Sequence, residues 1–141
     1  MNEAVFRVEQ IDHVEIFVPD RAAAADWYAR VLGLRIIAEH ADWAHDPQGP
    51  LMVGGGGAML AFFTGMPQQE APVAGICRVA FRTDGAGFLQ FVQHVLAVNE
   101  TGVRRIVDHD KAFSCYFTDP WGTPLEVTTY HADVVRAVIS P

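Results

Sequence analysis

The sequence predicts an α+β fold in which two tandem βαβββ modules form a cupped mixed sheet around a cavity. The chain has 141 residues and half of them are hydrophobic, which suits one compact domain. Strand and helix patterns occur twice in the same order, which indicates an internal repeat. We therefore expect a single domain over residues 1–141. It would contain one module at about 10–64, a linker at 65–75, a second module at about 76–130 and a C-terminal tail at 131–141.

The first module opens with a strand and a helix. Aliphatic residues alternate with other residues over Ile11–Val18, which predicts a half-buried strand. Pro19 ends this strand, and Asp20 is suited to cap a helix over Arg21–Leu32. Gly33 can then provide the left-handed residue that ends the helix.

Three further strands complete the first module. We predict them at Leu34–His40, at about 51–54 and at about 58–64. A polar loop lies between the first two of these strands. Its Trp43 and His45 could either cover the mouth of the cavity or be exposed to solvent.

The second module repeats this order. We predict a strand at Ile76–Thr83 and a helix at Gly85–Asn99, and then strands at about 103–108, 113–118 and 124–130. Hydrophobic residues in the tail suggest a terminal helix.

A sheet that is covered by a helix on one face must have its other face buried elsewhere. Two such sheets facing each other would enclose a cavity, and strand alternation assigns one set of side chains to its lining. That set is His13, Glu15, Phe17, Arg78, Ala80, Arg82, Glu126 and Thr128. Polar side chains that converge on an enclosed space are costly unless they pair or bind something, so the pattern favours a small-molecule site.

Composition argues against several other classes of protein. Ten Lys and Arg against 17 Asp and Glu give a net charge of −7, so we expect no nucleic-acid partner. Charged residues interrupt every apolar run, so we expect no membrane span. The N-terminal residues lack the apolar region of a secretory signal. Two cysteines outside any Cys-x-x-Cys pair are typical of a reduced, cytoplasmic protein.

Three sequence blocks occur in the order of a known superfamily. They are Ile11-Asp12-His13-Val14 before Pro19-Asp20, Trp27-Tyr28 with Val31-Leu32-Gly33, and Tyr116-Phe117-Thr118-Asp119-Pro120-Trp121-Gly122 before Leu125-Glu126-Val127. In these blocks, over about residues 10–130, the chain resembles the vicinal oxygen chelate superfamily. That superfamily includes glyoxalase I, bleomycin- and fosfomycin-resistance proteins, and extradiol dioxygenases. The resemblance implies a glyoxalase/bleomycin-resistance/dioxygenase-like fold, a small-molecule ligand and a homodimer.

The resemblance also implies a metal site, from which two ligands are missing. His13 matches the first ligand of the superfamily and Glu126 the last, whereas the other two positions fall on Ala61 and Arg78. Arginine stays protonated and has no lone pair to donate, and two protein ligands fall short of the usual three. We therefore expect no cofactor, with Arg78 paired to Glu126 in the place of the cation.

Other interpretations of this site stay open. A shifted register would let His40 or His45 complete it, or Arg78 could turn to solvent while a metal binds weakly at His13 and Glu126. An intact site would take Fe, Mn, Ni or Zn.

A second pattern supports an enzyme. His109, Tyr116 and Glu126 have nearly the spacing of the extradiol dioxygenase signature. In that family the His and the Tyr act on a metal-bound catecholate, and Glu126 could also shuttle protons. The catalytic candidates are therefore Glu126, Tyr116 and His109.

Three functions follow from these residues. The first is a binding protein in which Arg78, Arg82 and Tyr116 hold a small polar or anionic molecule, with Glu15, Phe17 and Thr128 beside it. The second is a metal-dependent extradiol dioxygenase or glyoxalase-like lyase. The third is an interaction module whose cavity is closed by an Arg78–Glu126 ion pair and holds no ligand.

Overall fold

A computed structural model describes residues 5–66, 75–95 and 105–139 of the chain. It divides into two compact units, Met1–Pro67 and Gln68–Pro141. Each unit contains one four-stranded mixed sheet with helices, which confirms the predicted fold class. Most of the predicted linker at 65–75 lies outside the described residues. None of the helices in the described ranges is long and apolar enough to cross a membrane.

The first unit has the strand order β1-β4-β3-β2, with β1 and β4 parallel and the other neighbours antiparallel. Its elements are β1 (Val14–Phe17), α1 (Arg21–Leu32), β2 (Arg35–Ile36), a 3₁₀ helix (Ala38–His45), β3 (Leu51–Gly55) and β4 (Ala58–Phe63).

Helix α1 begins and ends at the predicted caps. The Asp20 carboxylate accepts a hydrogen bond from the Ala23 N–H at 3.0 Å, and Gly33 has φ +69°. Trp27 and Tyr28 are buried beneath the helix, and the Tyr28 ring packs against Phe62 of β4 with the centroids 4.9 Å apart. Capping and aromatic packing together fix α1 on one face of the sheet.

The predicted strand over Leu34–His40 is wrong in its second half. Only Arg35–Ile36 pairs with β3, and the 3₁₀ helix Ala38–His45 follows. The Ile37 N–H still donates to the Met52 carbonyl, but the His40 N–H donates to the Ile37 carbonyl and turns the chain away from the sheet. Because that local hydrogen bond replaces a ladder bond, the strand cannot continue.

The second unit has the equivalent order β5-β8-β7-β6, with β5 and β8 parallel and the other neighbours antiparallel. Its elements are β5 (Val79–Arg82), α2 (Gly85–Gln90), a π-helical turn (Phe91–Val95), β6 (Arg105–Asp108), β7 (Phe113–Thr118), β8 (Pro124–Thr129) and α3 (Ala132–Arg136).

The predicted helix over Gly85–Asn99 is therefore not uniformly α-helical. It widens into a π turn at Phe91, whose buried ring packs against Phe117 with the centroids 5.2 Å apart. Residues 96–99 of the prediction, and residues 103–104 of the predicted next strand, lie outside the described residues.

Strand alternation sorts the side chains as expected. In β1, Ile16 is buried whereas Glu15 and Phe17 are exposed, and in β8 Leu125 is buried whereas Glu126 is half-buried. Each sheet thus has one face that packs in the core and a second face that carries the predicted lining residues. We call this second face the polar face, after Glu15 in the first unit and Arg82 and Glu126 in the second.

Candidate functional site

A pocket of about 390 Å³ lies in the first unit, on the polar face of its sheet. Its lining combines acidic, aromatic and thioether side chains: Asp12, His13, Glu15, His40, Trp43, Pro50, Met52, Met59, Ala61 and Phe63. Of the predicted lining residues, His13 and Glu15 contribute to it directly. Phe17 is exposed beside it, with its ring centroid 6.3 Å from that of Phe63.

Both ring nitrogens of His13 are bonded to carboxylates. Nδ1 lies 2.8 Å from Asp12 Oδ2, and Nε2 lies 3.2 Å from Glu15 Oε2. The hydrogen bond to Asp12, followed by that to Glu15, raises the pKa of His13 above its ordinary value. Since ionised carboxylates only accept hydrogen bonds, the arrangement favours an imidazolium, which has no lone pair for a metal.

A stacked pair of rings, His40 and Trp43, forms part of the pocket wall. Their centroids are 4.3 Å apart and their planes differ by 8°. Residues three apart eclipse in a 3₁₀ helix, so this element places the two rings in register. Because we predicted a strand at His40, we did not expect this stacking. The three-residue spacing of His40 and Trp43 was the feature of the sequence that could have indicated it.

In the second unit the polar face of the sheet is rich in arginine. The cross-strand row Ala80–Glu126–Tyr116–Arg105 runs from edge strand β5 through β8 and β7 to edge strand β6. Arg82 lies on the same face, and Arg78 immediately precedes β5. We call the surface made of Arg78, Arg82, Arg105, Tyr116 and Glu126 the basic face.

Tyr116 is the centre of the basic face. The guanidinium carbon of Arg78 lies 4.6 Å from the Tyr116 ring centroid, and that of Arg105 lies 5.3 Å from it. The Tyr116 hydroxyl and His109 Nε2 form a hydrogen bond at 2.9 Å. Tyr116 belongs to both predicted sets, and the structure places Arg78 of the ligand-binding set and His109 of the catalytic set in contact with it. It adds Arg105, which the sequence did not indicate.

The expected ion pair between Arg78 and Glu126 is not formed in the described structure. Glu126 instead accepts a hydrogen bond at 2.8 Å from the Ser114 hydroxyl on the adjacent strand. Arg78 is drawn over the Tyr116 ring and donates a hydrogen bond to Cys77 Sγ at 3.4 Å. The interaction module with a cavity closed by this ion pair therefore loses its structural basis.

Arg82 lies at one edge of the basic face, beside the predicted residue Thr128. Arg82 pairs in register with Thr128, whose hydroxyl donates to the Phe113 carbonyl at 3.0 Å. Arg82 also lines a depression of about 420 Å³ together with Tyr130 and His131.

The sequence left open whether Cys115 or Tyr116 faces the polar side of the sheet. Tyr116 does so, because Cys115 is fully buried in the core. That burial raises the pKa of the Cys115 thiol to about 11, which keeps it protonated and inert near neutral pH.

The donor set does not fit the metal of the superfamily. Ala61 is buried beside Glu15 in the strand register and has no donor atom, while Arg78 is a cation. Within residues 5–66, 75–95 and 105–139, no three His, Cys, Asp or Glu side chains are grouped as metal ligands. His40 shares the pocket of His13, but its ring is stacked on Trp43.

Solved structures share this architecture at low sequence identity. The glyoxylase/bleomycin resistance protein/dioxygenase domain from Frankia sp. EAN1pec is similar with a TM-score of 0.71 and 15% identity over 88% of this chain and 93% of that one. The fosfomycin resistance protein FosX from Mesorhizobium loti gives 0.62 and 18% over 87% and 93%. Lactoylglutathione lyase from Agrobacterium tumefaciens gives 0.63 and 20% over 86% and 94%. At these identities the likeness concerns the fold alone.

Sequence comparison gives the family. None of the curated proteins matches the chain. The model of one family, however, matches residues 10–127, which include both sheets except the last two residues of β8, and all the candidate residues except Thr128. The chain therefore belongs to the glyoxalase/bleomycin resistance protein/dioxygenase superfamily.

Proposed function

We propose that this protein binds a small anionic or polar molecule on its basic face, without the metal that its superfamily usually uses. The observation on which the proposal depends is the position of Arg78. The resemblance to the superfamily puts this residue at a ligand position, and its guanidinium lies over Tyr116 instead of neutralising Glu126.

The charge on this face supports an anionic ligand. Of the described residues, no Asp or Glu forms an ion pair with Arg78, Arg82 or Arg105. Glu126 supplies the one carboxylate of the basic face, and Ser114 donates to it. The positive charge is therefore only partly balanced within the face, and a bound anion would balance the rest.

A metal-dependent enzyme is the second candidate. The hydrogen bond between His109 and Tyr116 favours it, because these are the two residues that resemble the dioxygenase pair. An extradiol dioxygenase or a glyoxalase-like lyase would need Fe, Mn, Ni or Zn at His13 and Glu126. The donor chemistry of Ala61 and Arg78 makes the metal-free binding protein the better supported function.

The proposal also includes a homodimer and a cytoplasmic location. Superfamily members often form dimers, which supports a homodimer. Both cysteines are free thiols, one exposed and one buried, which supports a reducing, cytoplasmic location.

The test is an NMR titration of the full chain with benzoate and with malonate. We expect saturable shifts for the residues around Tyr116, and a loss of affinity of about tenfold in Arg78→Gln, because one charge-assisted contact is removed. Arg35→Gln, which removes an exposed arginine from the first unit, is the matched control and keeps the affinity of the wild type. Equal affinities for the wild type and Arg78→Gln, or no binding of either probe, would contradict the proposal.

A further inference from the structure

Two guanidinium groups on the basic face converge on one aromatic ring from opposite edges of the sheet. Arg78 precedes edge strand β5 and Arg105 begins edge strand β6, yet both guanidinium carbons lie within 5.3 Å of the Tyr116 centroid. Both groups carry a positive charge beside the same ring, so an anion bound at that ring would be attracted by both of them.

The contact with Tyr116 positions these groups without using up their hydrogen bonds. A guanidinium that lies over a ring is held through its face, and its N–H donors stay in its own plane. Arg78 uses one donor on Cys77 Sγ. Other donors on Arg78 and Arg105 can therefore reach the oxygens of a ligand at the edge of the ring.

The charged side chains on the basic face carry more positive than negative charge. On the basic face Arg78, Arg82 and Arg105 contribute three positive charges, and Glu126 contributes one negative charge. The side chain of Asp108, three residues after Arg105, bonds to Arg136 of α3 and does not compensate it. Among the described residues of the basic face, positive charges thus exceed negative charges by two, in a chain whose net charge is −7.

We infer that the ligand of the basic face is a small dianion, and that Arg105 is the residue that selects a second negative charge. This inference rests on the proposed function and narrows its ligand class. The shared chemistry is a pair of anionic oxygens, and either a dicarboxylate or a phosphate monoester has it. Arg78 would bind either a monoanion or a dianion, whereas Arg105 would contribute strongly only when the second charge is present.

The experiment compares matched probes that differ by one charge. Malonate is compared with monomethyl malonate, and methyl phosphate with dimethyl phosphate, at pH 8 and low salt by NMR or calorimetry on the full chain. We expect the wild type to bind the dianion of at least one pair about tenfold more tightly. Preference within only the first or only the second pair identifies the ligand as a dicarboxylate or a phosphate monoester.

Arg105→Gln supplies the decisive comparison. We expect it to bind the monoanion almost as the wild type does and to lose most of the preference for the dianion, with Arg35→Gln as the control. Arg105→Lys, which keeps the charge but not the planar group, should recover part of the preference. Circular dichroism and thermal unfolding confirm that each variant folds.

The outcomes separate the two proposals. If the wild type binds both members of each pair equally, or if Arg105→Gln keeps the full preference, the dianion inference is wrong while the proposed function stands. If neither member of either pair binds, the dianion inference is wrong, and if benzoate does not bind either, the proposed function itself fails.

Discussion

Arg136 joins helix α3 to strand β6 through one carboxylate. Its Nε and one terminal nitrogen donate to the two oxygens of Asp108, both at 2.7 Å. The same terminal nitrogen donates to the Asp110 carbonyl at 2.8 Å, in a turn where Asp110 has φ +70°. A bidentate pair of this kind fixes direction as well as distance, so Arg136 holds both the turn and the helix in place.

This pair predicts an acid-dependent loss of stability. The hydrogen bonds from Arg136 lower the pKa of Asp108 to about 2, from an ordinary value of 3.8. A depressed carboxyl pKa contributes stability that is complete above the ordinary value and is lost as the pH falls from about 3.8 to about 2. As the pH is lowered through that interval, the midpoint temperature of thermal unfolding should therefore fall more steeply for the wild type than for Asp108→Asn.

At pH 7 we expect Asp108→Asn to unfold several degrees below the wild type, because it loses one charge-assisted pair. Asp133→Asn is the matched control, since Asp133 bonds to the same arginine but its side chain is fully exposed. Identical pH profiles for Asp108→Asn and the wild type would show that the pair does not contribute.

Some residue assignments followed from the sequence and others could not. Strand alternation correctly placed Glu15 on the polar face and Ile16 in the core, because it depends only on the two-residue period. Arg105 and Ser114 were missed because their partners lie on neighbouring strands. Such contacts depend on strand register, which a single sequence does not fix.

Among the elements, the end of α1 shows how one residue fixes a boundary. The Gly33 N–H donates to the Ala29 carbonyl at 3.1 Å, and the Leu34 N–H donates to the Tyr28 carbonyl at 3.2 Å. This bonding requires a left-handed residue, and Gly33 has φ +69°. The chain can then enter β2 directly.

We therefore expect Gly33→Ala to lower the free energy of unfolding by roughly 1 kcal/mol, because a β-carbon is disfavoured at positive φ. No atom lies within 4 Å of the added β-carbon, so a steric clash would not explain the loss. Gly75→Ala is the control, with equally open space and no positive φ. Denaturant unfolding measures both variants, and an equal effect in the two would refute the conformational explanation.

The elements that were predicted incorrectly lack such a local signal. Asp20 and Gly33 predicted the two ends of α1, but the sequence contains no comparable signal that ends the next strand at Ile36. The Ile37 N–H still donates to the Met52 carbonyl, so strand-like pairing continues for one residue beyond β2. The 3₁₀ helix that follows depends on backbone hydrogen bonding that hydrophobic periodicity does not report.

In the whole molecule, the repeat of βαβββ units was predictable because each unit repeats the same local patterns. The two sheets have equivalent strand orders, each with a parallel pair at one edge. The chemistry of the two polar faces differs, however. The first has an acidic and aromatic pocket around His13, and the second has the basic face around Tyr116. The fold therefore follows from pattern, whereas the proposed function depends on individual residues such as Arg78.

The central claim is that Arg78 has replaced a metal ligand, and metal content tests it most directly. Untagged wild type and Arg78→His are analysed as purified and after incubation with Fe²⁺, Mn²⁺, Ni²⁺ and Zn²⁺. We predict that the wild type stays without stoichiometric metal, because an arginine repels the cation and donates no lone pair. We also predict that Arg78→His gains metal, because it removes the cationic side chain and supplies a donor nitrogen beside Glu126. One metal per chain in the wild type, or an unchanged metal content in Arg78→His, would contradict the account.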